Sequence, residues 1–457
     1  MALRAFLQVG LSFADVGLFE HGILKAHRRL YLPQEPLGTS LKKFWQENGL
    51  PTSLHVSSRF LEKILDAKLG GTVAQVVTSG FETWPILRQP VFPLRFDLKV
   101  HRQEPLASQE LIFGLSERID FEGKIIKPVE ISELEFINSK LKLMSVKRVC
   151  VNLLFSQRNS SHQEQVAHYF REQGFEVLAA ARENDSSDEM PAWRKNVINA
   201  CLSGAFTEHA DDIRKSFGED KIDLFFLDRQ GQTFLEDKNH IAGSLFSWSH
   251  LLATNMKSEG EQVLYLGLEN WSLLHTRERM DFWQSPWGLI EASIPLTSSL
   301  DIQPTQEVKT GFWGGVQFSK NELGFEPGPM CFGRAWKPTV FDVMNEKFKL
   351  EMSQIQAAGA QKFKDQLNAM IKNVPELSGT TVDQLLQNLI QHLVQMISIE
   401  AHFKSSPAAK KTVLTGVFAP HFHALLKKKW VGSELILDPL ASQREVHNLA
   451  SFCGGKT

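Results

Sequence analysis

Cysteine is scarce in this chain, and its spacing excludes two kinds of framework. The 457 residues contain four cysteines, far apart and without a C-x-x-C pair, at Cys150, Cys201, Cys331 and Cys453. Zinc-binding modules need closely spaced cysteines, and small secreted disulfide scaffolds need many cysteines in a short chain. The sequence therefore predicts a protein of a reducing compartment, without a structural metal or a disulfide framework.

Neither an excess of positive charge nor a long apolar run is present. Lys and Arg total 50 against 52 for Asp and Glu, so composition gives no reason to expect nucleic-acid binding. The apolar N-terminal stretch is short and lacks the layout of a signal peptide, and no run of about 18 apolar residues follows. We therefore expect a cytoplasmic protein that does not enter a membrane.

The length of the chain exceeds that of one hydrophobic core, so two lobes are expected. Strands are predicted over 5–10, 12–18 and 23–32, followed by a β-α-β unit over 148–180. The polar segment 182–189 is the predicted linker, which gives domains at 1–185 and 190–457. Further strands at 222–227 and 263–268, and helices over 348–371 and 382–401, are assigned to the second lobe.

A Gly-Pro segment over 324–342 reads GFEPGPMCFGRAWKPTVFD. It suits neither a helix nor a regular strand, because Pro removes a donor and fixes φ while Gly permits positive φ. The segment resembles the G-x-x-P-G-P-x-C-Y-G-R…P-T-V-x-D signature of the hydantoinase A / 5-oxoprolinase family. The matching positions are Gly324, Pro327, Gly328, Pro329, Cys331, Gly333, Arg334, Pro338, Thr339, Val340 and Asp342.

The resemblance runs in order from Ala5 to about Phe452, and it implies both a fold and a chemistry. The implied fold is α/β, the two-lobed actin-like ATPase fold of actin, heat-shock ATPases and acetate and sugar kinases. The implied domains are a hydantoinase A N-terminal-like domain and a hydantoinase A/oxoprolinase-like domain. Members of the family are typically hydrolases that open cyclic amides such as hydantoin and 5-oxoproline with ATP and Mg²⁺, commonly beside a separate B subunit.

The phosphate motifs of the family are damaged in this chain. The first, D-x-G-G-T-x-T-D, corresponds to residues 8–15, where Gly10, Ser12 and Asp15 remain. Gln8 replaces the leading Asp and cannot supply the negative charge that holds Mg²⁺, and Leu11 replaces a Gly where the backbone must approach a phosphate. The second motif is expected at 267–274, where its Asp and Gly positions are lost and Trp271 stands near the place of a Thr.

Other positions match the family singly, and some have a structural alternative. Ser57 and Ser58 keep the hydroxyls of a H-G-T-T motif, but capping of the following helix explains them as well as phosphate binding does. His421 and His423 invite a metal interpretation, but the sequence offers no third ligand, so no metal is predicted. Glu117 and Arg118 look like a catalytic pair, yet neighbours on a strand face opposite sides, which favours a solvated charge pattern.

These losses favour a pseudoenzyme: a non-catalytic or regulatory subunit of a hydantoinase-like complex. Its partner would be a hydantoinase B-like subunit or a second copy of the chain. The alternative is an ATP-dependent hydrolase of cyclic amides that uses a rebuilt site. The family places the remaining site residues around one cleft, with Asp15 and His423 as catalytic candidates and vestigial phosphate loops at Gly10, Ser12, Ser57, Ser58, Gly243, Gly314 and Gly315.

Overall fold

The computed structural model describes most of the first half of the chain and separate segments of the second. The described residues are 3–10, 12–66, 69–84, 106–179, 189–228, 233–235, 238–245, 247–248, 261–268, 271–276, 283–285, 288–290, 297–301, 329–333, 338–405 and 409–454. Within these ranges no helix is both long and apolar enough to cross a membrane.

A mixed sheet begins at the N-terminus, where the three predicted strands are confirmed. An antiparallel meander is followed by a helix and by a strand that returns parallel to the first one. The elements are β1 (Leu3–Val9), β2 (Phe13–Glu20), β3 (Ile23–Tyr31), α1 (Leu37–Asn48), β4 (Ser53–Ser58) and α2 (Phe60–Asp66). Apolar residues on one face of this sheet pack against the helices as one core.

An α/β unit with its own sheet interrupts the first lobe. Its strands are all parallel in the order β10-β9-β5-β6, and they enclose a separate core with two helices. The elements are β5 (Val73–Thr78), β6 (Ile112–Leu115), β7 (Arg118–Ile119), β8 (Ile125–Lys127), α3 (Ile131–Leu143), β9 (Arg148–Asn152), α4 (Ser161–Glu172) and β10 (Glu176–Ala179). We call this part the inserted unit.

The long helix α5 (Glu189–Lys215) returns the chain to the first sheet. There β11 (Asp223–Leu227) pairs in parallel with β4, and β12 (Thr233–Phe234) forms the sheet edge. The sequence prediction assigned this apolar strand to the second lobe, which is wrong. Its partner lies far back in the chain, and a buried parallel strand shows no local sign of the strand it will pair with.

The second lobe repeats the topology of the first. Its sheet has the order β17-β14-β13-β18-β19, which corresponds strand by strand to β3-β2-β1-β4-β11 with the same parallel and antiparallel pairs. The chain reaches this lobe after α6 (Ile241–Ser244), which belongs to the core of the first sheet, and it ends with α11 (Arg444–Gly454). The elements between them are β13 (Glu261–Leu266), β14 (Trp271–Thr276), β15 (Trp283–Ser285), β16 (Gly288–Ile290), β17 (Thr297–Asp301), α7 (Val340–Phe348), α8 (Ala357–Asn373), α9 (Val382–Lys404), β18 (Lys411–Thr415), α10 (Ala419–Lys427) and β19 (Glu434–Leu437).

Two predicted helices have different outcomes. The helix expected over 348–371 begins later than predicted: α7 ends at Phe348, where Lys349 lies in the left-handed region at φ 52°, and α8 starts only at Ala357, after the extended residue Gln356. The predicted capping box of α9 is confirmed, since the Thr381 side chain accepts from the backbone of Gln384 and the Gln384 side chain accepts from the backbone of Thr381.

The described part of the signature segment joins the two lobes. Phe332 stacks on Tyr31 of β3 with ring centroids 4.1 Å apart, and Phe341 stacks on Phe13 of β2 at 5.2 Å. The side chain of Gln354 accepts from the backbone N–H of Tyr31 and donates to its carbonyl oxygen. These four aromatic rings, which we call the aromatic clasp, belong to one buried cluster with the core of the second sheet.

The last helix, α11, packs against the other face of the first sheet. Val446 and Leu449 of α11 are buried with Phe6 and Phe19 of β1 and β2. Gly17 of β2 allows this close approach, because a Cβ atom there would lie 2.2 Å from Val446 Cγ1. The face of the first sheet that bears Phe6 is therefore covered by a helix that follows the second sheet in the chain.

Candidate functional site

A row of polar side chains crosses the first sheet next to its hairpin end. Strand register places Gln8 of β1 between Asp15 of β2 and Ser57 of β4, and places Asp15 opposite Arg29 of β3. Residues in register on neighbouring strands point to the same face of a sheet. We call Arg29, Asp15, Gln8 and Ser57 the polar row. It lies on the face that α11 covers, since Phe6 shares that face with Gln8.

Asp15 is the charged centre of the polar row, and its carboxylate is fully engaged. Its Oδ1 accepts from His27 Nε2 at 2.8 Å and from Arg29 Nε at 3.0 Å, and its Oδ2 lies 3.3 Å from the same Arg29 nitrogen. Burial by itself would raise the pKa of Asp15, but the Arg29 guanidinium and the His27 hydrogen bond outweigh it, so the pKa lies below its ordinary value. Asp15 is a buried, ionised partner of two basic side chains.

The segment before α11 closes over the same end of the sheet. Arg29 Nη2 donates to the carbonyl oxygen of Ser442 at 2.7 Å. Next to it, Asp438 pairs with Arg444 and accepts from Thr415 Oγ1 at 2.9 Å. Burial would raise the pKa of Asp438, and its hydrogen bonds to Arg444, Leu440 and Thr415 lower it on balance. Both carboxylates in this region are therefore neutralised by arginine within the protein.

Gln8 carries an acceptor atom of the polar row that has no partner among the described residues. Its side chain is 5% exposed, and its Oε1 atom has no hydrogen-bond partner among the residues that the structure describes. Beside Gln8, Ser57 Oγ is hydrogen-bonded to Ser247 Oγ at 2.9 Å. Ser247 follows Gly243 shortly in the chain. The row thus offers a neutral amide and two linked hydroxyls at the position where the family has an aspartate and a phosphate loop.

The Ser58 side chain makes contacts with the start of α2 and with α5. Its Oγ accepts from Phe60 N, the first residue of α2, at 3.2 Å, as the capping alternative expects, and it contacts His209 Nε2 of α5 at 3.0 Å. Because successive strand residues face opposite sides, Ser58 points away from the polar row. Burial lowers the pKa of His209 to about 4, so this imidazole is neutral in the native protein near pH 7.

The other predicted site residues are dispersed. The N–H of Gly10 donates to the carbonyl oxygen of Phe13 and closes the β1–β2 hairpin, with Ser12 buried in that turn. Gly243 lies in α6, where a Cβ atom would meet only Asp228 Cβ, at 3.7 Å. Gly314 and Gly315 lie outside the described residues.

His423 lies in α10 of the second lobe. Its Nε2 atom is buried and has no hydrogen-bond partner within the described segments. Its neighbour His421 stacks on Phe348 with centroids 4.4 Å apart. A search of the described residues finds no group of three His, Cys, Asp or Glu side chains that could hold a metal ion.

Trp271 occupies the corresponding hairpin of the second sheet. The side chain is 2% exposed and belongs to the core cluster that contains the aromatic clasp. A bulky ring therefore fills the interior at the start of β14, where the family has a small polar residue.

Sequence reasoning missed a buried polar chain in the inserted unit. Glu117, interpreted as part of a solvated charge pattern, is 3% exposed, so that interpretation is wrong. Its Oε1 accepts from Thr78 Oγ1 at 2.5 Å and its Oε2 is 2.7 Å from His162 Nδ1. Glu117 follows the end of β6, and its partners come from other elements, which no local pattern reveals.

Comparisons with known proteins agree with this architecture. Residues 58–174 match the family description "Hydantoinase/oxoprolinase N-terminal region". A segment of 132 residues is 26% identical to an uncharacterized protein of Methanocaldococcus jannaschii, covering 28% of this chain and 19% of that protein. The chain therefore matches less than a fifth of the length of this curated relative.

Solved structures match over nearly the whole chain. A nucleotide-free acetone carboxylase structure superposes with a TM-score of 0.72 at 15% identity, covering 98% of this chain and 70% of that one. The ATP-dependent caprolactamase from Pseudomonas jessenii gives a TM-score of 0.61 at 17% identity, with the same coverage of both chains. Together with the repeated sheet topology, these matches confirm the predicted α/β, actin-like ATPase fold class.

Proposed function

We propose that this chain, whose residues 58–174 match the hydantoinase/oxoprolinase N-terminal region, is a member of that family without ATP-dependent catalysis of its own, acting in the cytoplasm as a non-catalytic or regulatory subunit of a hydantoinase-like assembly. The observation that carries this proposal is the ion pair of Asp15 with Arg29, together with the hydrogen bond between Asp15 and His27. The partner is a hydantoinase B-like subunit or a second copy of the chain, as in the multi-subunit organisation that the family implies.

The residues present do not fit Mg-ATP. A carboxylate that orients a hydrated Mg²⁺ must leave oxygen lone pairs to the metal or its waters. Both Asp15 oxygens face a guanidinium, and the leading position of the motif is the neutral Gln8. In the second hairpin Trp271 is part of the core. No catalytic step is therefore assigned to nucleotide or metal.

The size of the expected loss follows from these substitutions. Each missing or misplaced polar contact costs about 1–3 kcal/mol, and a loss of about 4 kcal/mol weakens a micromolar site to a millimolar one. Two or three such losses are enough to remove binding at micromolar nucleotide concentrations. Both structural neighbours are described by their titles as ATP-dependent, so this loss would separate the chain from them.

A second candidate is an ATP-dependent hydrolase of cyclic amides with a rebuilt site. It is favoured by two buried side-chain atoms without partners in the described part of the chain, Gln8 Oε1 and His423 Nε2. Such atoms are candidates for contact with water or a ligand. In this alternative, Asp15 would have to exchange Arg29 for a ligand cation during turnover.

Calorimetric titration with Mg-ATP separates the two candidates. We expect no binding below about 1 mM for the wild-type chain, and no ATP-dependent ring opening of hydantoin or 5-oxoproline. An exposed carboxylate on α8, changed by Asp365→Ala, provides the matched control for charge removal. A micromolar constant that is retained in this control and abolished by Asp15→Ala would overturn the proposal in favour of the hydrolase.

A further inference from the structure

The sheet of the inserted unit has a topological switch point at the carboxyl ends of β5 and β9. From β5 the chain proceeds to β6 on one side, and from β9 it proceeds to β10 on the other. Open parallel sheets bind ligands in the crevice outside such a point, where the two connections diverge. The predicted site residues that the structure describes lie elsewhere, so this edge is a separate place to look for a site.

A series of buried hydrogen bonds connects the elements at this edge of the sheet. Leu154 N donates to Thr78 Oγ1 at 2.9 Å, and Thr78 in turn donates to Glu117. The other Glu117 oxygen binds His162 at the start of α4, so the buried carboxylate is held from two sides. These contacts fix the ends of β5 and β9 to Glu117, the second residue after β6, and to α4. A fixed first layer of this kind is what a binding site needs for support.

Three aromatic rings pack next to these hydrogen-bonded residues. Phe81, shortly after β5, contacts Trp84 edge to face with centroids 4.5 Å apart, and Trp84 lies 5.7 Å from Trp193 of α5. Phe81, Trp84 and Trp193 pack in one cluster with Leu154, which follows β9. The Arg118 guanidinium lies over the Phe81 ring at 5.3 Å. Arginine, three rings and the switch point are therefore contiguous, and we call this set the Arg118 edge.

Two hydrogen-bond donors at the Arg118 edge have no acceptor in the part of the chain that the structure describes. Trp193 is 2% exposed, and its Nε1 has no hydrogen-bond partner among the described residues. Arg118 is half-buried and forms no ion pair within the described ranges, although Glu117 is its neighbour in the chain. A buried N–H without an acceptor is costly, and a guanidinium stacked on a ring readily binds carboxylate. The Trp193 indole indicates a missing hydrogen-bond acceptor, and the Arg118 guanidinium favours an acceptor that is negatively charged.

We propose that the Arg118 edge binds a small aromatic carboxylate. The flat ring packs against Phe81 and Trp84, and the carboxylate accepts from the Arg118 guanidinium and the Trp193 indole. Since Glu117 is already satisfied by Thr78 and His162, it leaves Arg118 free to bind the ligand. The proposal does not depend on the state of the nucleotide site, and it adds a ligand site to a chain that we regard as regulatory.

Calorimetric titration with benzoate tests this proposal, with benzyl alcohol as the matched neutral probe. Benzoate is expected to bind with a dissociation constant on the order of 1 mM or tighter, in line with its size, and benzyl alcohol about tenfold more weakly. Arg118→Gln and Trp193→Phe are each expected to weaken benzoate binding about tenfold, the effect of losing one charge-assisted or buried hydrogen bond.

The matched control is Lys140→Gln on α3, where another cation lies over a ring, that of Phe136, outside the Arg118 edge. This variant should bind benzoate as the wild type does. Thermal unfolding of all three variants distinguishes loss of the site from loss of the fold, because Arg118→Gln breaks no ion pair with any residue that the structure describes. The proposal is overturned if benzoate fails to bind, if benzyl alcohol binds equally well, or if Lys140→Gln weakens binding as much as Arg118→Gln.

Discussion

The Oδ1 atom of Asp342 accepts the backbone N–H of Cys331 at 2.8 Å. Its Oδ2 accepts from Met330 N at 3.0 Å and from both the backbone and the hydroxyl of Thr339. The side chain is 1% exposed. Thr339 and Asp342 therefore connect the turn at Met330–Phe332 to the start of α7, which holds the aromatic clasp in place.

Asp342→Asn should lower the free energy of unfolding by about 2–4 kcal/mol. The amide keeps only one acceptor oxygen and turns a donor toward backbone N–H groups, which leaves buried donors unpaired. Urea unfolding measures the change. Asp383→Asn is the control, because Asp383 pairs with Lys347 at an exposed position and should change stability by less than about 0.5 kcal/mol. Equal effects of the two variants would show that the hydrogen bonds of Asp342 contribute little to stability.

Asp15→Asn should destabilise the protein by about 3–5 kcal/mol, because Arg29 is then a buried cation without its anion. The double variant Asp15→Asn/Arg29→Gln should be more stable than the sum of the single effects predicts. Urea unfolding of the four proteins gives the coupling energy. Catalytic carboxylates are often held at a cost to stability, so a more stable Asp15→Asn protein would instead favour the hydrolase alternative.

Stability should fall in acid through His209, whose pKa burial lowers to about 4. The unfolded chain binds the proton near pH 6.5, above the folded pKa. This contribution is therefore complete above about pH 6.5 and is lost as pH falls toward 4, by up to about 3 kcal/mol. Urea unfolding from about pH 7.5 to about pH 4.5 should show a shallower decline for His209→Gln.

A second histidine adds to the same decline, because burial and then Arg4 lower the pKa of His55 to about 4 between its stacked neighbours Phe6 and Phe225. The control for both is His168→Gln on the exposed face of α4, whose profile should match that of the wild type. A His209→Gln profile as steep as the wild-type one would contradict the assignment.

Gln8→Asp restores the leading aspartate of the family motif but should not restore Mg-ATP binding. The new carboxylate would lie directly opposite Asp15 across β1 and β2, and like charges in register repel. We expect a loss of about 1–3 kcal/mol in unfolding free energy and a calorimetric trace without binding heat. Recovery of micromolar Mg-ATP affinity by this single change would show that the rest of the site is intact.

The sequence predicts the meanders and the second-lobe helices better than it predicts the site. Asp15 is recognisable in the sequence as a retained carboxylate. Its pairing with Arg29, however, depends on a β-bulge that the sequence does not reveal. The tight turn at His21-Gly22 alone would pair Asp15 with Arg28, and the register shift near Leu18/Phe19 brings Arg29 there instead. The burial of Glu117 was equally hidden, because its partner His162 comes from 45 residues later. Contacts of this range depend on packing, which single-sequence patterns do not encode.

The interruption of the first sheet has a consequence for the order of events during synthesis. The sheet of the inserted unit is complete once Ala179 has been made, whereas the first sheet still lacks β11 at Asp223–Leu227. Domains fold as units as they emerge from the ribosome, and local contacts form before distant ones. We therefore expect ribosome-bound chains halted before residue 223 to resist protease within 106–179 and to be cut within 3–58. The first lobe would then form around an insertion that has already folded, and equal cleavage of both regions would contradict this order.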